Sequence, residues 1–312
     1  MATMKAVRVH EYGGPEVLKY EDAPKPAPAA GEVLIRVHAA ALNPVDIGVR
    51  AGYFKERIKY KLPMIPGWDV SGVVESIGAG ATRLKPGDAV YSRPDISRDG
   101  AYAEYIVVKE SEVALKPKSI DHVTAAAIPL AALTAWQSLF DAAKLQAGQT
   151  VLIHGAAGGV GCFAVQFAKI HGARVIATAS ARNHEFLRSL GADQVIDYTT
   201  TKFEDVVRDV DVVFDTVTGE TQKRSWQVIK KGGIYVSILQ PPSPEEAASH
   251  GVRCAHVFVQ PSVPQLDEIA KLVDSGKLKV IIEKVFPLSE ARAAQEAVAT
   301  RHTRGKLVLR VV

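Results

Sequence analysis

Residues 150–161 read TVLIHGAAGGVG, and the reading of this stretch decides the fold. An apolar strand runs into a glycine-rich turn, and a helix opens behind it. Phosphate binding requires strand, turn and helix in that order. Within the stretch, Ala156-Ala157-Gly158-Gly159-Val160-Gly161 is an A-x-G-x-x-G version of the dinucleotide fingerprint. Gly158 lets the backbone approach a pyrophosphate, and the helix N-terminus behind it offers unpaired N–H groups and a partial positive charge. Gly161 permits close packing of helix on strand. Ala156 departs from the pattern, standing where the first glycine is usual. Taken alone, such a run also suits a merely structural turn, so its surroundings decide.

Downstream of the turn, strands alternate with helices. The helix through GCFAVQFAKIHG is followed by ARVIATA and NHEFLRSLG, by QVIDY and FEDVVRD, by VDVVFDTV and TQKRSWQVIKKG, and by GIYVSIL and RCAHVFVQ. PPSPEEAASHG reads as a loop. Apolar strands alternating with helices predict a parallel sheet covered on both faces, and six of them match the doubly wound dinucleotide fold. Upstream the rhythm differs. KAVRVHEYG, EVLIRVHAAAL, DVSGVVESIG, DAVYSR and AYAEYIVVK are short runs rich in Val, Ile and Tyr, punctuated by Gly and Pro, with a helical piece near NPVDIGVRAG. This predicts an antiparallel β domain. AAAIPLAALTAWQSLF is helical. From residue 262 the order is helix, strand, helix, strand, and SVPQ carries a capping signal. The last strand, KLVLRVV, needs a sheet, which the N-terminal β domain provides. The expected organisation is therefore 1–120 plus 262–312 as one domain and 121–261 as an inserted Rossmann domain.

Composition narrows the function. The chain has 312 residues, 47% hydrophobic and 23% charged, with 38 basic against 34 acidic side chains. That is ordinary for a soluble enzyme, and so mild a positive excess without charge blocks implies no nucleic-acid partner. Two cysteines, Cys162 and Cys254, cannot build a disulfide framework or a four-thiolate zinc site. Nowhere do about 18 apolar residues run unbroken, so no membrane span is expected. MATMKAVRVHEYGG has no signal-peptide core, and the location expected is cytoplasmic.

The second strand of the nucleotide domain indicates which dinucleotide fits. NAD is held by a carboxylate at the tip of that strand. Here the strand ends at Ala179, followed by Ser180 and Arg182, with Tyr198 ending the third strand. A hydroxyl and a guanidinium suit a 2′-phosphate that an acidic residue would repel. NADPH is the cofactor expected, with Arg182 as an ordinary solvated residue the plainer alternative.

NPVD at 43–46, PGWD at 66–69, LTAWQ at 133–137, HGAAGGVG at 154–161 and RHTRGK at 301–306 occur in that order. Together they resemble the medium-chain dehydrogenase/reductase superfamily, and most closely its zinc-independent, zeta-crystallin-like quinone oxidoreductases and their enone- and alkenal-reductase relatives. The likeness covers essentially the whole chain. It implies an α/β fold in which a GroES-like β-rich catalytic domain carries the inserted Rossmann NADPH-binding domain, and a homodimer built through sheet edges. Zinc-dependent members hold Cys where NPVD begins and His-Glu after the glycine of the later motif. Here those places hold Asn43 and Trp68-Asp69, so no zinc site is expected. The resemblance also implies site residues. Asn43, Asp46 and Thr134 fall near the nicotinamide, and Ala157, Gly158, Gly159 and Val160 cradle the pyrophosphate. Ser180, Arg182 and Tyr198 meet the 2′-phosphate, and Val217 lies beside the adenosine. Phe258 and Val259 reach the nicotinamide amide by backbone, and Arg301 reaches the adenosine phosphate.

Without a Lewis acid a plain alcohol is a poor substrate. A quinone or an enone spreads the incoming charge and needs only hydrogen-bond donors, such as Asn43, and a proton. Tyr53 is a candidate proton donor or an aromatic wall. The expectation is a zinc-independent, NADPH-dependent reductase of quinones or α,β-unsaturated carbonyls, acting on small molecules. Two alternatives stay open: an enone or 2-alkenal double-bond reductase with little quinone activity, and a non-catalytic NADPH-binding, structural or RNA-associated relative.

Overall fold

The computed structural model describes residues 2–312, which form two compact units. One comprises the chain up to Leu130 with Gln260–Gly276 and Val280–Val312; the other is Ala131–Val259 with Lys277–Lys279. The boundaries expected at 120/121 and 261/262 fall instead after Leu130 and after Val259.

In the first unit β1 (Thr3–Val9) and β2 (Leu18–Pro24) pair antiparallel. β3 (Glu32–Ala41) is the spine of the main sheet. It leads through α1 (Pro44–Arg50) to β4 (Val70–Ile77), β5 (Ala89–Ser92), β6 (Tyr105–Lys109) and β7 (Val113–Leu115). β3 pairs β4 along its length and β6 over residues 32–36. AYAEYIVVK therefore yields a strand only from Tyr105. β2 and β7 escape the sequence reading because LKYEDAP and VAL carry too few alternating apolar residues to stand out. α2 (His122–Ala126) packs on β3 and β4, which is why the chain stays in this unit past residue 120. α3 (Pro129–Trp136) opens on a proline and runs into a π-helical turn over Gln137–Ala142.

The second unit has strands β8 (Thr150–His154), β9 (Arg174–Ala179), β10 (Gln194–Asp197), β11 (Val210–Asp215), β12 (Ile229–Ser237) and β13 (Arg253–His256). Between them lie α4 (Gly159–Ile170), α5 (His184–Ser189), α6 (Phe203–Val206), α7 (Glu220–Ser225) and α8 (Pro244–Ser249). All six strands are parallel, in the order β10-β9-β8-β11-β12-β13. That is the doubly wound order, with the first strand central and the chain reversing direction beside it. β8 and β9 are buried over nearly their whole length, as strands covered on both faces must be. The segment read as a loop, PPSPEEAASHG, contains α8: Ser243 caps it by accepting the Glu246 N–H at 3.1 Å, and Pro244 takes its first position. The helix read through TQKRSWQVIKKG stops at Ser225, and its IKKG end belongs to β12.

The chain then returns to the first unit with α9 (Val263–Asp274), β14 (Ile282–Pro287), α10 (Ala291–Ala299) and β15 (Lys306–Arg310). Ser262 caps α9, accepting from the Gln265 N–H. β15 pairs antiparallel with β3 at Ala39–Ala41 and parallel with β14, so the terminal strand does join the N-terminal sheet. No helix among the described residues is long and apolar enough to cross a membrane.

Candidate active site

The glycine turn of the second unit is built as a cradle. The tight-turn role falls on Gly155 rather than on Ala156. Gly155 has φ +69°, and a Cβ there would lie 2.3 Å from Thr216 Oγ1. The fingerprint's departure at Ala156 is thus made good one residue earlier. A Cβ on Gly161 would lie 2.5 Å from the Gly155 carbonyl oxygen and 2.6 Å from Ala156 Cα, which is the close helix–strand packing expected of it. Gly158 caps α4 with extended backbone, and a Cβ there would meet nothing nearer than 3.4 Å. The approach to the helix N-terminus is open at that point, which fits a pyrophosphate. Ala157, Gly158, Gly159 and Val160 all lie on this turn and the first residues of α4. Cys162 is buried and donates its thiol to the Ala157 carbonyl at 3.3 Å, a packing role.

Beneath the turn sits a residue the sequence reading passed over. His154 ends β8 fully buried, Nδ1 3.1 Å from Thr178 Oγ1 on β9 and Nε2 3.1 Å from Ser225 Oγ on α7. Ser225 donates to the Thr221 carbonyl, so Nε2–H is the donor and Nδ1 accepts from Thr178. Burial pushes the imidazole down to about 4. Thr216 Oγ1 donates to the His154 carbonyl at 2.8 Å, tying the end of β11 to the same point. The Asp215 carboxylate is also buried. It accepts Tyr235 OH and the N–H groups of Val217 at 2.6 Å and Thr218 at 3.0 Å. Val217 is held on that turn and is 43% exposed.

At the tip of β9, Ser180 is half-buried and Arg182 exposed, and Tyr198 just beyond β10 is exposed. An acid does stand beside this tip: Asp197 on β10 is in register with Ala179. Its carboxylate is occupied, accepting the Thr199 N–H at 2.9 Å and Thr199 Oγ1 at 2.7 Å. Thr134 is buried on α3. Phe258 and Val259 follow β13, which ends at His256, shorter than RCAHVFVQ suggested. They lie on loop backbone, Phe258 exposed and Val259 buried.

The first unit contains a chain of buried polar groups. Gly67, at φ +97°, faces the Tyr102 ring so closely that a Cβ would lie 2.2 Å from Tyr102 Cδ1. Tyr102 thereby sends its hydroxyl to Asp46 Oδ2 at 2.7 Å. The same oxygen accepts the Asn43 N–H at 2.8 Å, capping α1, while Asp46 Oδ1 is buried without a partner. Burial pushes the Asp46 carboxyl up to about 7 against these two hydrogen bonds. Asn43 Nδ2 donates to Asp69 Oδ2 at 2.8 Å, and the Leu130 N–H donates to Asp69 Oδ1 at 2.6 Å. Lys306 Nζ donates to Asn43 Oδ1, to the Leu42 carbonyl at 2.9 Å and to Asp69 Oδ2 at 3.2 Å. Burial pushes the Asp69 carboxyl up, and the Lys306 ammonium draws it back.

The Trp-Asp pair of PGWD divides its work. Trp68 is fully buried, its Nε1–H donated to the Arg98 carbonyl at 3.1 Å, and is core. Asp69 is the node joining Asn43 before α1, Leu130 and Lys306 of β15. Among the described residues no group of three or more His, Cys, Asp or Glu side chains could hold a metal ion, and the donors Asn43 Oδ1, Asp69 Oδ2 and Leu42 O already surround an ammonium. Tyr53 stands apart from this chain of groups, 81% exposed on the turn after α1. Arg301, exposed at the end of α10, has φ +58°. Sequence reasoning missed Lys306 and Tyr102. Their signal was faint, since a lysine opening an apolar strand and a tyrosine in a strand-like run are both commonplace. His38 and His122, which no local motif links, lie with ring centroids 4.3 Å apart.

Comparison with known proteins agrees with this architecture. Residues 29–118 match the alcohol dehydrogenase GroES-like domain family and residues 190–309 the zinc-binding dehydrogenase family. The chain is 36% identical to the mitochondrial NAD(P)H oxidoreductase RTN4IP1 of Mus musculus, over 99% of this chain and 89% of that one. It is 40% identical to the chloroplastic NADPH-dependent alkenal/one oxidoreductase of Arabidopsis thaliana, over 98% of this chain and 79% of that one. The solved quinone oxidoreductase of Coxiella burnetii is similar with a TM-score of 0.93 at 37% identity, each chain covered completely. A glycine cradle on a doubly wound sheet, a GroES-like β unit and full-length similarity lead to one conclusion: the chain belongs to the medium-chain dehydrogenase/reductase superfamily, in its zinc-independent quinone- and alkenal-reductase branch, and is a nicotinamide-dependent oxidoreductase.

Proposed function

We propose that this chain is an NADPH-dependent reductase of quinones or α,β-unsaturated carbonyls that works without a bound metal ion. The observation that carries the reading is the turn at Gly155–Gly161, whose open face at Gly158 suits a dinucleotide pyrophosphate. Preference for the 2′-phosphate rests on Ser180 and Arg182 at the tip of β9, and on Asp197, whose carboxylate is spent on Thr199 rather than offered to a ribose. The names of relatives, an NADPH-dependent alkenal/one oxidoreductase and a quinone oxidoreductase, support the substrate class.

When bound, the cofactor would supply the hydride of a two-electron reduction, the charge falling on the acceptor oxygen and the balancing proton coming from water. The chain's own share is placement and charge stabilisation. Asn43 has its Oδ1 on Lys306 and one Nδ2 hydrogen on Asp69, which leaves the second Nδ2 hydrogen for an acceptor oxygen. The Lys306–Asp69 pair fixes that amide's orientation, so it donates without reorganising. Asp46 acts through Asn43 and Tyr102 by holding the start of α1, and Tyr53 is kept as the exposed candidate for proton delivery. The same reading assigns Thr134, Tyr198, Val217, Phe258, Val259 and Arg301 to the cofactor.

The test is NADPH oxidation against a panel of quinones and enones, with and without a chelator. Turnover unaffected by chelation is expected. Loss of turnover on chelation, restored by zinc, would remove the metal-free part. A homodimer through the β13 edge and a cytoplasmic location belong to the proposal too; sedimentation and fractionation test them, the latter against the organellar names of several relatives.

A further inference from the structure

Arg93 follows β5 directly and is 3% exposed, yet its five N–H donors are almost unused. Nη1 donates to the carbonyl of the adjacent Pro94 at 3.2 Å, and Nε is buried with no partner. A guanidinium is seldom buried without a paired acid, because taking an ion out of water costs several kcal/mol. Three carboxylates act on it at longer range, Asp69, Asp95 and Glu112. Each is engaged elsewhere. Asp69 serves Asn43, Leu130 and Lys306. Asp95 accepts the Ser97 N–H at 2.9 Å, its hydroxyl at 2.8 Å and Lys109 Nζ at 3.2 Å. Glu112 accepts the Asp95 N–H at 3.0 Å and pairs with Lys109 at 3.3 Å.

The unused side of the guanidinium is its Nε–Nη2 edge. That edge presents two parallel N–H donors, the fork that matches the two oxygens of one carboxylate. A lone carbonyl oxygen would satisfy only half of it. Asp69, one of the three carboxylates that act on Arg93, belongs to the buried polar chain described above, and Tyr60, whose hydroxyl donates to the Ile96 carbonyl at 2.8 Å, has its ring 6.2 Å from that of the neighbouring Trp68. From this geometry we infer that Arg93 is a specificity residue that binds the carboxylate of an acidic acceptor, an oxo-enoate in preference to a neutral enone. The inference rests on the reductase reading for its substrate class, but not for the binding of the acid.

Two measurements separate the two readings. The first compares (E)-4-oxo-2-pentenoate with its methyl ester as acceptors of NADPH. The wild type is expected to favour the acid by about 30-fold or more in kcat/KM, the worth of a bidentate charged hydrogen bond. Arg93→Gln should bring that ratio close to one, and Arg93→Lys should leave it in between, since charge remains but the fork does not. The second is calorimetric titration of the NADP⁺-loaded protein with 4-oxopentanoate, the saturated acid, which needs no turnover. Arg93-dependent binding of this acid, with its methyl ester silent, upholds the inference even if no acceptor is reduced, in which case the reductase reading fails alone. Reduction of enones with no preference for the acid, or a preference that survives in both variants, overturns the role of Arg93 and leaves the reductase reading intact. Should Arg93→Gln not fold, Arg93→Lys carries both measurements.

Discussion

Lys306 and Asp69 stand 237 residues apart in the chain and meet in a buried pair, Nζ to Oδ2 3.2 Å, with side-chain exposures of 4% and 0%. Removing one partner strands the other's charge in a low dielectric. Lys306→Met should therefore cost about 3–5 kcal/mol in urea unfolding, while Lys306→Met with Asp69→Asn should recover a good part of the loss. The Asn43 and Leu130 donors to Asp69 remain in the single variant and limit its cost. Strictly additive single costs below 1 kcal/mol would mean that the pair is not coupled.

Two glycines of one turn should behave oppositely. Gly161→Ala forces a Cβ to within 2.5 Å of the Gly155 carbonyl, so stability should fall by about 1–3 kcal/mol, the cost of overpacking. Gly158→Ala meets nothing closer than 3.4 Å and should leave the unfolding midpoint nearly unchanged. Its methyl faces the open approach to α4, so NADPH affinity by fluorescence titration should drop at least about tenfold, since donors to the phosphate are displaced. Equal effects of the two on affinity and stability would contradict the cradle.

Cofactor choice should rest on the tip of β9. Arg182→Ala is expected to weaken NADPH binding by about 10- to 100-fold, the worth of a charged hydrogen bond to phosphate, and to leave NADH binding within about twofold. Ser180→Ala should add a smaller loss of the same kind. An Arg182→Ala protein that weakens both cofactors alike would show that the side chain acts on something other than the 2′-phosphate.

Two buried groups set opposite pH limits. The Asp46 carboxyl is raised from 3.8 to about 7, so its contribution to stability is complete below about pH 4 and is lost as pH rises through 7. The His154 imidazole is lowered from 6.5 to about 4, so its contribution is complete above pH 6.5 and is lost as pH falls through 4. Asp46→Asn should flatten the loss on raising pH from about 4 to 7 and His154→Gln the loss on lowering it from about 6.5 to 4, each by about 2–4 kcal/mol across its window. Unfolding free energies measured between pH 4 and 8 decide this, and unchanged slopes in the variants would refute it.

What the sequence determined by itself was everything carried by local pattern. The glycine turn at 155–161, the alternation of apolar strands with helices and the order of NPVD, PGWD and HGAAGGVG are contiguous signals, and the backbone chemistry of glycine and the burial of both sheet faces make them legible. Boundaries were less so. α8 hides in a proline-rich stretch and β13 stops early, because length is settled by neighbours and not by propensity. The tertiary structure alone decided what the buried polar groups do. Asp69 could be read as a turn residue until Lys306 arrived from the far end of the chain, and the hold of Asp46 on the start of α1 and on Tyr102 shows only in the fold. Arg93 looks like any surface arginine until the fold buries it. A charge in a sequence carries no record of its solvent or its partner. Both are created by folding, and they fix what the charge can do.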